Sequence, residues 1–419
     1  MKRNLLITVF ILWAISLIGV SLQDCLSALR ENSPISKNLQ ELELQAKMKD
    51  KALQKAYLPN LSLSAEAGAN SEVTRMSLGS ALPLKAPVPD KDREAVGLEL
   101  RQLVWDAGIT KGQRQLSSLE MQAKKLDYQS SLQAQEMELL NRYFEIIGLD
   151  LSQQTLALNL DSMNARERAL QAGLESGVRE RADLLLLQSD ILKLEDRIEG
   201  LKRQREAAVQ RINRLCGMEL EADMEFMLPQ IPSLNAEVLQ RAELSKLDVL
   251  AKMQRENSSL AKRKNLPQVS ARVSGAYGKP GYDMFSTQFH DYYSAGIVLS
   301  WKLWDWGQRS YESKVAESEA GQLERSKENM ELNIRNELLS LNKETEQLVH
   351  STGQIARRVA LLEDVQRIYE EKYELGTLGT TELLLQNNSL LEAKLELQST
   401  KTKLRALEAK KIYIMGDRL

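Results

Sequence analysis

The chain has 419 residues, 27% of them charged and 5% aromatic, and its net charge at pH 7 is −2. Loss of Lys2 and Arg3 with a leader would change that charge from −2 to about −4, so no basic excess predicts a nucleic-acid partner. Nine Pro and five Phe leave few helix breakers and few bulky core side chains, which favours long helices over compact globular domains.

The first residues have the pattern of a signal peptide. Lys2 and Arg3 precede an apolar run that ends near Val20, and the small residues Gly19 and Ser21 offer a cleavage site, so a signal peptide is predicted over 1–21. An uncleaved anchor helix is the alternative, although the run is short for a span of about 20 residues. No other long apolar stretch follows, so no helix is expected to hold the mature chain in a bilayer.

Two cysteines, Cys25 and Cys216, follow the leader. Cys25 is preceded by Leu22-Gln23-Asp24 and not by the small residues of a lipid-attachment site, so acylation is not expected. A disulfide between the two cysteines would suit an oxidising compartment, but the expectation from the sequence is two unpaired, partly buried thiols.

From residue 22 onward the sequence contains two copies of one pattern. A first repeat over 22–220 and a second over 245–419 are separated by 221–244, which we expect to pack around the helices as an equatorial linker. Two of the paired motifs share an offset of 199 residues, and the third pair is offset by 208. The pairs are Leu58-Pro59 with Leu266-Pro267, Trp105-Asp106-Ala107-Gly108 with Trp304-Asp305-Trp306-Gly307, and Gly177 and Asp183 with Gly376 and Glu382. Duplication on this scale indicates an architectural role.

Each repeat contains a predicted β-hairpin, over about 58–105 and 266–304. Apolar and polar residues alternate there for about ten residues, the length of a tilted transmembrane strand. Aromatic residues crowd the second hairpin, as at a membrane interface, although a soluble half-buried sheet would show the same alternation. The loop at Leu82–Asp92 is expected outside the cell. Because four strands cannot close a barrel, and an open sheet edge in hydrocarbon leaves backbone groups unsatisfied, three copies are predicted to supply twelve strands.

Long helices are predicted after each hairpin. Asp106 and Asp305 stand where a strand stops and a helix begins, and each carboxylate is predicted to accept unpaired backbone N–H groups as an N-cap. Helices of roughly 65–70 residues follow, on the order of 100 Å long at about 1.5 Å per residue. Apolar residues recur every seven positions in the long helix of the second repeat, as at Ile334, Leu341 and Leu348, and in the returning helix of the first, as at Leu187, Leu194 and Leu201. This repeat predicts antiparallel coiled-coil pairs of the long helices with the returning helices Glu180–Leu215 and Thr380–Ile412. The predicted fold is mostly α with a β-barrel part, and its helices form a trimeric tunnel.

The order of these elements and their paired motifs resembles the TolC-type outer-membrane efflux proteins (outer membrane factors), over nearly the whole chain from Leu22 to about Ile412. The resemblance implies a homotrimer with a β-barrel in the outer membrane of a Gram-negative bacterium and a helical tunnel in the periplasm. It also implies two partners, a periplasmic adaptor (membrane fusion) protein and an inner-membrane pump.

In such proteins the helix turns at the periplasmic end close the tunnel and contact the adaptor. The resemblance carries this gate onto Tyr373, Gly376 and Glu382 in the second repeat, and onto Gly177 and Asp183 in the first. Rings of these acids would favour cations. As alternatives, the acids cap the returning helices, Tyr373 is core packing, and the glycines only allow the turns.

The sequence also departs from the best-known gate of this family. That gate has an Arg two residues after its glycine and a second acid three residues after the first acid. Here the same positions hold Leu378 and Leu385. The salt-bridge lock and the double acidic ring of that gate are therefore not expected in this chain.

The predicted function is a passive export duct for small molecules or proteins, without chemistry of its own. The chain has two His residues, His290 and His350, and no metal-ligand cluster, nucleophile motif or phosphate-binding loop, so neither an enzyme nor a cofactor is predicted. The alternative is a periplasmic coiled-coil adaptor or structural scaffold, which would share the leader, long helices and short strands. The sequence predicts neither the cargo nor the cognate pump.

Overall fold

A computed structural model describes residues 19–74, 88–175, 180–232 and 239–417. The elements of the first repeat are α1 (Leu22–Asn32), α2 (Pro34–Gln54), a 3-10 turn (Lys55–Tyr57), β1 (Asn60–Ala69), β2 (Asp92–Trp105), α3 (Ile109–Glu175) and α4 (Arg181–Cys216). Those of the second are α5 (Ala242–Arg263), β3 (Gln268–Lys279), β4 (His290–Ser300), α6 (Gln308–Glu374) and α7 (Thr380–Met415). The predicted mainly helical fold with four strands is confirmed. None of the helices in the described ranges is both long and apolar enough to span a bilayer.

The four strands form one antiparallel sheet in the order β1-β2-β3-β4. The second hairpin thus extends the first, and β1 and β4 are the two edges. A register shift between Leu103 and Trp105 marks a bulge where β2 ends beside β3. Among the described residues both edges keep unpaired backbone groups, and such edges pair with further strands.

The chain divides into two compact units. One contains the sheet and the helix segments next to it, within 41–124 and 246–326. The other contains the remaining helical segments, within 1–40, 125–245 and 327–419. The two long helices α3 and α6 have 67 residues each, in agreement with the length predicted for them.

The main core of the helical unit joins α1, α3 and α4. Leu26 and Leu29 of α1, Tyr143 of α3 and Ile212 of α4 are all at most 1% exposed. A second core contains the apolar repeat of α4, with buried Leu187, against α3 and α7. Burial of such side chains stabilises each by about 1.5–3 kcal/mol relative to exposure.

Part of the predicted linker over 221–244 is held by Arg205 of α4. Arg205 is 8% exposed and its guanidinium pairs with Asp150 of α3. The same group donates to the carbonyls of Ala222 and Met224. It also lies 5.8 Å from the ring centroid of Phe226. The linker up to this point is therefore packed on the helices, while its residues 233–238 lie outside the described ranges.

Candidate functional site

One face of the sheet is apolar and exposed. Alternate residues of all four strands point to it, and the cross-strand pairs Leu63–Leu98 and Val96–Tyr277 lie on it. Its large side chains are between 38% and 83% exposed: Leu61, Leu63, Val96, Leu98, Leu100, Val273, Tyr277, Tyr293, Ile297 and Leu299. Because soluble monomers rarely expose so continuous an apolar surface, this face is suited to an apolar environment.

The opposite face of the sheet is polar and charged. Ser274 and Ser294 hydrogen-bond to each other across β3 and β4 at 2.8 Å. The Glu99 carboxylate pairs with Arg272 of the neighbouring strand at 3.0 Å and with Arg101 of its own strand at 3.4 Å. These three side chains carry one net positive charge. A face of this composition is suited to water and to solutes dissolved in it.

Aromatic side chains gather at both ends of the sheet. At the end where β3 stops and β4 starts, Tyr277 stacks on Phe289 with 5.7 Å between ring centroids. Beyond the other end of β4, Trp304 and Trp306 meet edge to face at 5.8 Å. Trp306 is 86% exposed. Amphipathic rings in two bands are typical of the two interfaces of a bilayer.

Asp106 joins the end of β2 to the start of α3. Its carboxylate accepts the backbone N–H groups of Gly108 at 3.0 Å and Thr110 at 2.6 Å. It also accepts the Tyr57 hydroxyl at 2.7 Å. Burial raises the pKa of Asp106, but these hydrogen bonds outweigh burial and leave the pKa below its usual range. The carboxylate therefore stays ionised and satisfies two donors of the helix start.

Asp305 occupies the same place at the start of α6, with fewer partners. Its carboxylate accepts the N–H groups of Gly307 at 3.0 Å and Arg309 at 3.2 Å. Both turns use left-handed backbone at a residue other than glycine, with φ of 56° at Ala107 and 57° at Trp306. Each predicted cap residue thus sits in an Asp-x-Gly turn of the same geometry.

A pair of hydrogen bonds beside these turns was not predicted. The Gln102 amide donates to the Tyr57 carbonyl at 3.3 Å, and the Trp301 indole N–H donates to the Asn265 carbonyl at 2.9 Å. Gln102 and Trp301 are 199 residues apart, and Tyr57 and Asn265 are 208 apart, the offsets of the repeats. The duplicated spacing was the available signal, but Gln and Trp share no chemistry except an N–H donor.

The turn after α6 brings three predicted gate residues together. Gly376 has φ of 71°, and the Thr377 N–H donates to the Lys372 carbonyl at 2.9 Å, which ends the helix in a Schellman motif. The Glu382 carboxylate accepts the Gly379 N–H at 2.9 Å. The Thr380 hydroxyl donates to the Tyr373 hydroxyl at 3.3 Å. In this chain Glu382 therefore caps the returning helix, and Tyr373 packs beside the second helical core.

The other predicted turn is described only in part. Gly177 lies outside the described residues. Asp183 is in the first turn of α4, and its N–H donates to the Glu180 carbonyl at 3.2 Å. A carboxylate there favours the helix dipole.

A polar layer lies near the turn and was not predicted. Arg166 of α3 pairs with Glu370 of α6, and the Gln366 amide donates to the same carboxylate at 2.9 Å. In the same layer, the side-chain amide of Asn387 in α7 donates to the side-chain oxygen of Asn159 in α3 at 3.0 Å. A cavity of about 470 Å³ is lined by residues that include all five. Polar contacts inside coiled helices are known to select one alignment of the helices, which is the role that this layer suits.

No grouping of three His, Cys, Asp or Glu that could hold a metal ion occurs in the described ranges. Both cysteines are free and buried, and burial raises the pKa of each thiol to about 12.

No protein-family model matches the chain, and no curated protein matches its sequence. Solved structures of outer-membrane proteins do match it over nearly its full length. The outer membrane protein VceC of Vibrio cholerae is 16% identical, with a TM-score of 0.72 over 94% of this chain and 96% of that one. CusC, whose structures concern transmembrane channel formation, is 14% identical with a TM-score of 0.75 over 95% and 92%.

The open outer membrane channel MtrE of Neisseria gonorrhoeae is 16% identical, with a TM-score of 0.69 over 94% of this chain and 89% of that one. At these identities the similarity establishes the fold. The resemblance to outer membrane factors that the repeated motifs indicated is confirmed at that level.

Proposed function

We propose that this chain, which has the fold of outer-membrane channels, is itself a passive exit duct in the outer membrane of a Gram-negative bacterium. The observation that supports this most directly is the sheet. One of its faces is apolar and exposed along all four strands, and the other is polar with the Arg101–Glu99–Arg272 cluster. A lipid-facing wall that encloses water needs both properties in the same strands.

The functional unit of this proposal is a homotrimer. Within one chain β1 and β4 are the edges of a four-stranded sheet. An open edge in hydrocarbon leaves each backbone polar group unsatisfied at a cost of several kcal/mol. Three chains would supply three times four strands, and β4 of each chain would pair with β1 of the next, which removes every edge.

The proposed partners are a periplasmic adaptor and an inner-membrane pump, which would supply the energy and select the cargo. The contact with the adaptor is assigned to the turns around Gly177 and Asp183 and around Tyr373, Gly376 and Glu382. The geometry of the second turn supports a rigid loop, because Gly376 and Glu382 each close one of its helix ends. The cargo is a small molecule or a protein.

The test is fractionation of cells that express the full chain, followed by the mass of the protein in detergent and its conductance in planar bilayers. A trimer from the outer membrane that forms stable channels is the expected result. A monomer or dimer recovered from the soluble periplasm would overturn the proposal and would support the adaptor or scaffold function instead.

A further inference from the structure

The residues just before α1 are part of the fold. Val20 is 6% exposed and forms a parallel bridge with Phe226 of the linker. Its N–H donates to the Glu225 carbonyl at 2.8 Å, and its carbonyl accepts the Met227 N–H at 3.0 Å. Val20 is therefore joined to the linker by an isolated parallel bridge, and both of its backbone groups are hydrogen-bonded.

Two further contacts bind the same segment. The Tyr143 hydroxyl, on a fully buried side chain, lies 2.8 Å from the Val20 carbonyl and 2.7 Å from the Met227 carbonyl. Ser21 is the N-cap of α1: its hydroxyl accepts the Asp24 N–H at 3.1 Å, and its own N–H donates to the Asp24 carboxylate at 3.1 Å. This reciprocal capping box is a strong helix start.

These contacts conflict with the cleavage site that the sequence pattern favours. Leader cleavage requires small residues at the first and third positions before the bond, and Gly19 with Ser21 would direct it to the Ser21–Leu22 bond. Cleavage there would remove Val20 and Ser21. The linker would lose its bridge to Val20, the Tyr143 hydroxyl would lose one of its two acceptors, and α1 would lose its N-cap.

We infer that the leader is removed at a bond before Val20, so that Val20 and Ser21 stay in the mature chain. The sequence offers such a bond between Ser16 and Leu17, because Ala14 and Ser16 are the small residues that the cleavage pattern requires. A leader peptidase would hydrolyse it with one water, leaving a carboxylate on Ser16 and a new amino group on Leu17. The inference rests on the proposed function only in requiring that the chain be exported.

The cut is read directly from the intact mass and N-terminal sequence of the protein expressed with its own leader and purified from membranes. A mature chain that begins at Leu17 is the expected result. A chain that begins at Leu22, or one that keeps its leader, overturns the inference. The readout does not depend on channel formation, so loss of conductance with a Leu17 start would contradict the proposed function alone.

Two matched variants separate the candidate bonds. Ser21→Asp keeps a good N-cap but places a charge directly before the Ser21–Leu22 bond. It should be processed at the wild-type rate and to the same N-terminus. Ser16→Asp places the same charge before the Ser16–Leu17 bond and should accumulate precursor at least 10-fold. Precursor accumulation by Ser21→Asp together with normal processing of Ser16→Asp would overturn the inference.

Discussion

Single residues determine where the helices of this protein end, and two glycines of α6 and its following turn illustrate this. Gly376 needs its left-handed backbone to close the turn after α6, although a Cβ there would meet no atom of the described residues within 4 Å. A Cβ at Gly353, inside α6, would likewise have open space in the described part of the chain, but Gly353 has ordinary helical geometry. The two positions therefore differ in backbone conformation and not in available space.

The same substitution should have opposite effects at these two glycines. Gly376→Ala places a side chain at positive φ and should destabilise the fold by about 1 kcal/mol. Gly353→Ala should stabilise it by roughly 0.5–1 kcal/mol, because alanine is the better helix former. Thermal unfolding of both purified variants measures the difference, and equal shifts in the same direction would contradict it.

Asp106 should make stability depend on pH. Its folded pKa is lowered, so its contribution is present above the unfolded pKa of about 3.9 and is lost as pH falls through the folded pKa. Asp106→Asn keeps an acceptor but replaces charged hydrogen bonds by neutral ones, at a cost of about 1 kcal/mol at pH 7. The difference in unfolding temperature between the wild type and Asp106→Asn should become smaller below about pH 4. A difference that stays constant from pH 7 to pH 3 would exclude a stabilising role of the ionised Asp106 carboxylate.

The sequence predicted a structural feature correctly where one residue type has one common structural role. An Asp at the point where an alternating strand stops predicted both helix starts. The same sequence could not show that Tyr57 donates to Asp106, because 49 residues separate them and only the folded hairpin brings them together. Arg166 and Glu370 are 204 residues apart. The sequence alone does not distinguish Arg166 from the solvent-exposed Arg residues of the same helix, because its partner lies on another helix.

At the scale of elements, the sheet is defined by its two faces. Leu63 on the apolar face and its neighbour Ser64 on the polar face are both exposed. A lysine at the bilayer midplane on a lipid-facing strand costs about 2–4 kcal/mol, whereas a lumen-facing position has no such cost. Leu63→Lys should therefore reduce the amount of folded protein in the outer membrane, and Ser64→Lys should not. The unheated gel mobility of membrane fractions reports both, and equal levels would contradict the assignment of faces.

The two faces of each strand could be predicted from the sequence, because successive side chains of a strand point to opposite faces of the sheet. The pairing order could not, since four amphipathic strands of similar length can be arranged in several ways. Likewise, the seven-residue repeats placed Leu187 and Leu341 on helix faces predicted to pair, and both side chains are buried. They could not show which helix covers each, and the contact of α4 with α7 is a property of the folded chain.

At the scale of the whole molecule, the proposal requires the polar face to line a water-filled lumen. Ser274→Cys should react with a polyethylene-glycol maleimide and lower the conductance of the purified channel, because the label would occupy the lumen. Tyr293→Cys, on the apolar face, should leave conductance unchanged. Cys25 and Cys216 should not react in the folded protein, because both are buried and their pKa is near 12. Loss of conductance after labelling of Tyr293→Cys alone would mean that the apolar face lines the lumen, and would contradict the assignment of the two faces.

The turn at residues 305–307 also has a practical consequence. Ala107 and Trp306 occupy the same left-handed position in the two repeats, with nearly equal φ, so the turn tolerates very different side chains there. Trp306 projects outward with most of its ring uncovered. Position 306 is therefore a natural attachment point for an environment-sensitive fluorophore, whose emission would report the polarity of the layer around the junction while the protein inserts and assembles.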